Sequence, residues 1–121
     1  SIVPSCLYTE PEIASVGLTE TQAREKGVQI RVGRYDMKGN GQQIISRETG
    51  GFIKVIFAAN SDVLLGAQIM CARATDMIGE LATALANGLT STQLMYAMRA
   101  HPTFNEAISC AVENSRDNIK E

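Results

Sequence analysis

The sequence has little of what many classes of protein require. Its 121 residues contain no run of about 18 consecutive apolar residues, which a membrane-spanning helix needs. No charged start followed by an apolar stretch is present, so we expect no signal peptide. The eleven basic residues are scattered and the net charge is −2, whereas binding a polyanion requires a cluster of Lys and Arg. We therefore expect neither a membrane nor a nucleic acid as a partner.

Cysteine is scarce, and the three residues lie far apart. Cys6, Cys71 and Cys110 form no CxxC pair, and an odd number at this spacing fits neither a disulfide framework nor a zinc site. Each lies in an apolar stretch, which is typical of thiols buried in a reducing cytoplasm. We expect no bound metal and a cytoplasmic location.

Glycine-rich cofactor motifs are missing as well. The triplet Gly39-Asn40-Gly41 lacks the third glycine of a GxGxxG motif and does not lie in a strand–helix–strand unit. The chain also begins at Ser1 rather than at a Met, and it enters a strand-like segment at once. We therefore expect a piece of a longer protein, without a dinucleotide site of its own.

What is present is a series of strand patterns in the first part of the chain. Apolar residues alternate with polar ones, or form short apolar runs, at residues 5–9, 13–17, 28–33, 52–58 and 63–71. The last two segments are joined by the turn-forming residues Asn60-Ser61-Asp62, which predicts an antiparallel hairpin.

Helix signals separate and follow these strands. Capping boxes, in which a Thr and a residue three positions later satisfy free backbone groups, are predicted at residues 19–22, 90–93 and 103–106. The first helix should end near Gly27, and a longer apolar-striped helix should end at Asn87-Gly88. Strands followed by helices predict an α+β domain, an antiparallel sheet with helices packed on one face and the other face solvated or covered by a partner. We expect this domain in residues 1–115, with 116–121 as a frayed C-terminal tail.

The one histidine lies in a setting that suits acid–base chemistry. Pro102 disfavours helical geometry at His101, so the imidazole can turn back over the start of the following helix. Glu106 could then accept a hydrogen bond from one ring nitrogen, fixing the tautomer and raising the proton affinity of the other. Alternatively, Glu106 could bond the backbone N–H of Thr103 as part of a capping box. The two roles are compatible because a carboxylate has two oxygens.

Several ordered motifs resemble a known family. Residues 100–107, with His-Pro-Thr and a Glu three residues after the Thr, resemble the C-terminal signature of the pyridine nucleotide–disulfide oxidoreductases. Residues 3–20 resemble the opening of that family's interface domain, and the resemblance covers residues 3–112. Within the family, Asn-Glu-Ala at 105–107 is most similar to the dihydrolipoamide dehydrogenases. Arg99 departs from them, because many carry a second His there, which leaves the substrate preference open.

The resemblance implies a catalytic role shared between two chains. The domain would form a homodimer, with His101 acting on the redox disulfide of the partner subunit. His101 would take a proton from the incoming dithiol, because only the thiolate attacks a disulfide, and Glu106 would orient the imidazole. A cis His101–Pro102 peptide is expected, with the backbone carbonyl of His101 near the partner's flavin, so both residues are expected cofactor contacts.

The same resemblance assigns the cofactors to other parts of a parent chain. FAD and NAD would bind to domains outside this one, so we expect neither bound here and no dehydrogenase activity from this piece alone. A 2-oxoacid dehydrogenase-type complex is a candidate partner of the parent.

Two other classes of function remain open. A free-standing module that dimerises or binds protein without chemistry fits the missing cofactor motifs. Met77, Met95 and Met98 could line its interface, although such stripes are more often core. A self-sufficient hydrolase using the same His and Glu lacks an activated nucleophile, since nothing positions Ser109 or Cys110.

Overall fold

The structure is a computed structural model that describes residues 4–7, 12–36, 51–71, 74–98, 105–116 and 119–120. These residues form six strands and four helices. The strands are β1 (Ser5–Leu7), β2 (Glu12–Gly17), β3 (Ile30–Asp36), β4 (Phe52–Ala58), β5 (Leu64–Cys71) and β6 (Ile119–Lys120). The helices are α1 (Glu20–Glu25), α2 (Ala74–Ala86), α3 (Ser91–Met98) and α4 (Asn105–Ser115). The predicted order of strands and helices is confirmed, with β6 added at the end.

All six strands belong to one antiparallel sheet with the order β1-β2-β5-β4-β3-β6. The predicted hairpin joins β4 to β5, and its register runs from Phe52 opposite Met70 to Phe57 opposite Leu64. An irregularity next to Ile56 leaves Leu65 without an opposite residue in the register. Together with the packed helices, this sheet confirms the predicted α+β class.

Local chemistry sets the helix boundaries at the predicted places. The Thr19 hydroxyl accepts the N–H of Gln22 at 3.1 Å, and the Gln22 amide oxygen accepts the N–H of Thr19 at 2.9 Å, which completes the first capping box. Gly27 has φ +77° just after α1, and Gly88 has φ +63° just after α2. Glycine adopts this left-handed conformation without strain, so both helices end there.

The larger core lies between the sheet and the helices α2, α3 and α4. Because side chains alternate along a strand, β4 points Ile53, Val55 and Phe57 to this face, and all three are fully buried. The helices bury against them the residues Ile78, Leu81, Leu94, Ile108, Ala111 and Val112. The predicted packing of helices on one face is therefore confirmed for α2, α3 and α4.

The second face of the sheet is covered at one end by α1. Ile30, Val32 and Ile56 point to this side and are buried together with Ala23 of α1. Three apolar side chains of lower burial complete this smaller core, from Leu18, Val28 and Leu65. Part of the second face is thus covered by the chain's own helix α1, and not by solvent or a partner as predicted.

Beyond α1, the second face carries apolar side chains in register across four strands. Leu7 pairs with Ile13, Ile13 with Met70, and Met70 with Phe52. We call these four residues the cross-strand row. Leu7 is 54% exposed and Ile13 is 40% exposed, whereas Met70 and Phe52 are half-buried. The row leaves a partly open apolar surface at this end of the sheet.

The C-terminal segment differs from the prediction. Residues 116–121 were expected to fray, but Ile119 pairs with Arg31 and Lys120 pairs with Ile30, forming β6 at the edge of β3. The pairing extends the sheet because the free edge of β3 offers backbone groups that need partners. The boundary of the domain at residue 115 stays a prediction.

Candidate acid–base site

Of the three residues predicted to form the site, only Glu106 falls within a described helix. His101 and Pro102 lie outside the described residues, and so does the capping box predicted at Thr103. Glu106 has a helical backbone near the start of α4, as predicted. The site segment, residues 99–104, therefore joins the end of α3 to the start of α4. The cis peptide, the flavin contact and the His101–Glu106 pair stay predictions.

The first turn of α3 is held by side-chain hydrogen bonds. The Thr90 N–H donates to the Gln93 amide oxygen at 3.0 Å, and the Gln93 N–H donates to the Thr90 hydroxyl at 3.2 Å. These reciprocal bonds confirm the second predicted capping box. Next to it, Ser91 is buried, with 1% of its surface exposed.

Ser91 is bonded to Asp62 in the turn between β4 and β5. The Ser91 hydroxyl lies 2.7 Å from each carboxylate oxygen of Asp62. The Ser91 backbone N–H lies 3.1 Å from Asp62 Oδ2 and 3.0 Å from the Asp62 carbonyl oxygen. The start of α3 is therefore tied to the hairpin by both the backbone and the side chain of one residue.

Arg31 of β3 contacts the same carboxylate with its guanidinium group. Its side chain is 13% exposed, and its buried Nε has no hydrogen-bond partner. Burial, and after it the positive charge of Arg116, lowers the pKa of the Arg31 guanidinium below its ordinary value. Arg116 in turn lies 3.4 Å from the Thr92 hydroxyl of α3. Asp62 thus links β3 to the start of α3.

The last turns of α4 lie directly on β3. A Cβ placed on Gly33 would stand 1.9 Å from the carbonyl oxygen of Ala111 and 2.7 Å from the Cβ of Ser115. Only glycine permits this approach, because such distances are far below van der Waals contact. Beside it, the Arg34 N–H donates to the Asn114 side-chain oxygen at 3.0 Å.

The two helices that flank the site segment therefore share one support. The start of α3 reaches β3 through Asp62 and Arg31, and the end of α4 reaches β3 through Gly33 and Arg34. The helices also pack against each other. These contacts hold the start of α3 and the end of α4, the two helices that precede and follow the segment carrying the histidine.

These contacts were not predicted from the sequence. Asp62 was identified only as a turn residue, Ser91 only as part of a capping box, and Gly33 only as a position in an alternating strand. The one available signal was an acidic residue in a turn where Asn or Gly would suffice. It indicated a side-chain role but not the partner, which lies 29 residues away.

The cysteines and methionines have structural positions. Cys6, Cys71 and Cys110 form no disulfide. Cys71 is buried as predicted, whereas Cys6 and Cys110 are only partly buried. Met95 packs partly buried against the larger core, as expected of a core stripe. The side chains of Met77 and Met98 lie outside the described part.

Neither a metal centre nor a membrane span emerges from the residues that the structure describes. Among them, no group of three His, Cys, Asp or Glu side chains is placed to hold a metal ion. Within the same ranges, none of the helices has the length and apolar character needed to span a bilayer.

Comparison with known proteins identifies the class of domain. The model of the pyridine nucleotide-disulphide oxidoreductase dimerisation domain matches residues 3–112, so the chain belongs to this family. It is 40% identical over 111 residues to a dihydrolipoyl dehydrogenase of Bacillus subtilis, covering 92% of this chain and 24% of that protein. A dihydrolipoyl dehydrogenase of Rhizobium etli is 42% identical over 110 residues, covering 91% of this chain and 23% of that protein. The chain thus spans about a quarter of the length of these relatives.

Solved structures show the same fold. LpdA from Mycobacterium tuberculosis superimposes with a TM-score of 0.81 at 24% identity, covering 92% of this chain and 24% of that one. The Cu(II) complex of the HOCl-induced flavoprotein disulfide reductase RclA from Escherichia coli gives 0.81 at 27% identity, covering 92% and 25%. The resemblance stated from the sequence is confirmed.

Proposed function

We propose that this chain is the homodimerisation domain of a longer dihydrolipoyl dehydrogenase-like disulfide oxidoreductase. In this proposal His101 is the acid–base group for the redox disulfide of the partner subunit, and Glu106 orients it. The observation that carries the proposal is the family match over residues 3–112, which includes the only histidine of the chain. The shared support of α3 and α4 is consistent with a segment whose position matters.

The proton chemistry follows from ordinary pKa values. A free thiol has a pKa of about 8.5, so most of an incoming dithiol is protonated at neutral pH. A histidine with a pKa of about 6.5 can accept that proton near pH 7. The thiolate then attacks one sulfur of the disulfide, forming a mixed disulfide and releasing the other sulfur as a thiolate. The imidazolium can return its proton to that leaving sulfur, which balances the step.

The described residues do not fit a dinucleotide site. FAD and NAD bind at the crevice of a mostly parallel sheet, next to a glycine-rich loop, whereas this sheet is wholly antiparallel. In the proposal, both cofactors are held by other domains of the parent chain. We therefore assign this chain a part in dimer formation and in proton transfer only.

The proposal is tested by replacing His101 with Gln in the full-length parent enzyme. Loss of general base catalysis should lower kcat for dithiol oxidation by about 10²–10⁴-fold. The flavin absorbance and the dimer mass should stay unchanged. A matched control is Thr21→Ala, at an exposed position of α1 remote from α3 and α4. Turnover of the His101→Gln enzyme at the wild-type rate would exclude the catalytic assignment.

The exposed part of the cross-strand row fits a second candidate equally well, a dimerising module without chemistry. Exposed apolar side chains such as Leu7 and Ile13 are a feature of protein interfaces. The two candidates predict different coding sequence upstream of Ser1. The oxidoreductase is supported if that sequence encodes a GxGxxG motif and a close cysteine pair. A start codon directly before Ser1 supports the module.

A further inference from the structure

We propose that Asp62 is a positioning residue for the acid–base site, which it serves by fixing the start of α3 relative to β3. The inference rests on the proposed function, because the segment that α3 leads into carries His101. Asp62 itself lies in a hairpin turn and belongs to no part of the predicted site.

The backbone of Asp62 indicates a selected conformation. Its φ is +65°, and among the described residues it is the one non-glycine with a positive φ. This left-handed conformation is unfavourable for residues with a Cβ, although Asp and Asn tolerate it better than most. A turn alone would be served as well by Gly or Asn, so the turn does not explain a carboxylate at this position.

The side-chain contacts supply the explanation. Both carboxylate oxygens lie 2.7 Å from the buried hydroxyl of Ser91, and the Arg31 guanidinium contacts the same carboxylate. Arg31 stays in this place although its buried Nε has no hydrogen-bond partner. A strained turn residue and an incompletely satisfied arginine thus converge on the first residue of α3.

The strand that holds Arg31 also holds α4. Gly33 lets the backbone of α4 approach β3, and the Arg34 N–H donates to Asn114. Neighbouring residues of one strand therefore hold the start of α3 and the end of α4 in position. Asp62 connects α3 to this strand, because it contacts both Ser91 and Arg31.

A helix transmits a displacement along its length. From Ser91 to Met98, α3 rises by about 10 Å, at about 1.5 Å per residue. A tilt at its buried start would move its far end, where the site segment begins. Misplacement of a catalytic group by about 1 Å can lower a rate about 100-fold.

The test uses the full-length parent enzyme with two substitutions at the same position. Asp62→Gly keeps the left-handed backbone but removes the carboxylate. Asp62→Asn keeps both the backbone tolerance and one acceptor oxygen for Ser91. The matched control is Asn60→Gly, at an exposed position of the same turn. Flavin content and unfolding temperature identify the folded fraction of each variant.

We expect Asp62→Gly to lower kcat for dithiol oxidation by about 10-fold or more at unchanged KM. Displacing an acid–base group reduces the stabilisation of the transition state but leaves substrate binding unchanged. Asp62→Asn should restore part of the loss, and Asn60→Gly should match the wild type. A purely structural role would lower the unfolding temperature without changing kcat per folded enzyme.

Wild-type kcat per folded Asp62→Gly enzyme would overturn the inference, provided that His101→Gln is inactive in the same assay. Should His101→Gln be active, the proposed function fails, and the inference falls with it. If Asp62→Gly does not fold, Ser91→Ala removes the hydroxyl alone. A loss of kcat in Ser91→Ala at unchanged KM supports the inference, and wild-type kcat overturns it.

Discussion

The two faces of the sheet are formed by the same strands but are covered by helices to different extents. On the face under α2, α3 and α4, alternate residues of β4 are fully buried, including Phe57. On the second face the short helix α1 covers one end, and the cross-strand row, which includes Phe52, stays partly open. The difference shows that the chain closes one face by itself and leaves part of the other for solvent or for contact with other protein.

The largest effect should come from two phenylalanines of β4 that point to opposite faces. Phe57→Ala leaves a cavity in the larger core and should lower the free energy of unfolding by about 3–5 kcal/mol. Phe52→Ala should lower it by less, about 1–2 kcal/mol, because Phe52 is only half-buried. The guanidinium carbon of Arg34 lies over its ring, 4.2 Å from the ring centroid. Urea unfolding of both variants measures the difference. Equal losses would mean that the second face is as well packed as the first.

The next effect tests the contact between α4 and β3. Gly33→Ala places a Cβ against the carbonyl oxygen of Ala111, so α4 must move, at about 1–3 kcal/mol of stability. Gly79→Ala is the matched control, because its Cβ would meet nothing within 4 Å on α2. There alanine should stabilise the helix by about 0.5–1 kcal/mol. Opposite signs in urea unfolding are expected, and a neutral Gly33→Ala would contradict the tight approach.

A smaller effect tests the cover of the second face. Thr19→Ala removes the hydroxyl that accepts the N–H of Gln22 and should lower stability by about 1 kcal/mol. Hydrogen exchange should be faster in α1 and unchanged in α4, since the helix lies on the smaller core alone. Thr19→Ser keeps the hydroxyl and serves as the control. Equal acceleration in both helices would mean that the two faces unfold together.

The smallest effect concerns the surface of α1. Arg24 lies 3.2 Å from Glu20, one helical turn away, and its side chain is 49% exposed. Arg24→Ala should lower stability by less than about 0.5 kcal/mol, because solvent screens exposed pairs and Glu20 keeps its contact with Lys54. The difference should vanish at high salt. A loss above about 1 kcal/mol that persists in salt would show that Arg24 has a packing role.

The sequence predicted the residues of the candidate site but not the contacts of the two helices that precede and follow them. His101, Pro102 and Glu106 were predicted from a lone histidine before a proline and from the family resemblance, and their roles stay predictions. The contacts that hold α3 and α4 on β3 were not predicted, because Gly33 and Asp62 act through residues far along the chain. Asp62 meets Ser91 across 29 positions, and no periodicity connects the two.

The sequence by itself determined the elements of this domain: the antiparallel hairpin, the helix ends at Gly27 and Gly88, and two capping boxes that the structure confirms. These features depend on backbone conformation and on neighbours within about four residues. Only the tertiary structure decided that α1 lies on the second face, that residues 119–120 join the sheet, and that β3 supports both α3 and α4. Such choices depend on which distant surfaces fit together, and fit is a property of packed side chains that local pattern does not encode.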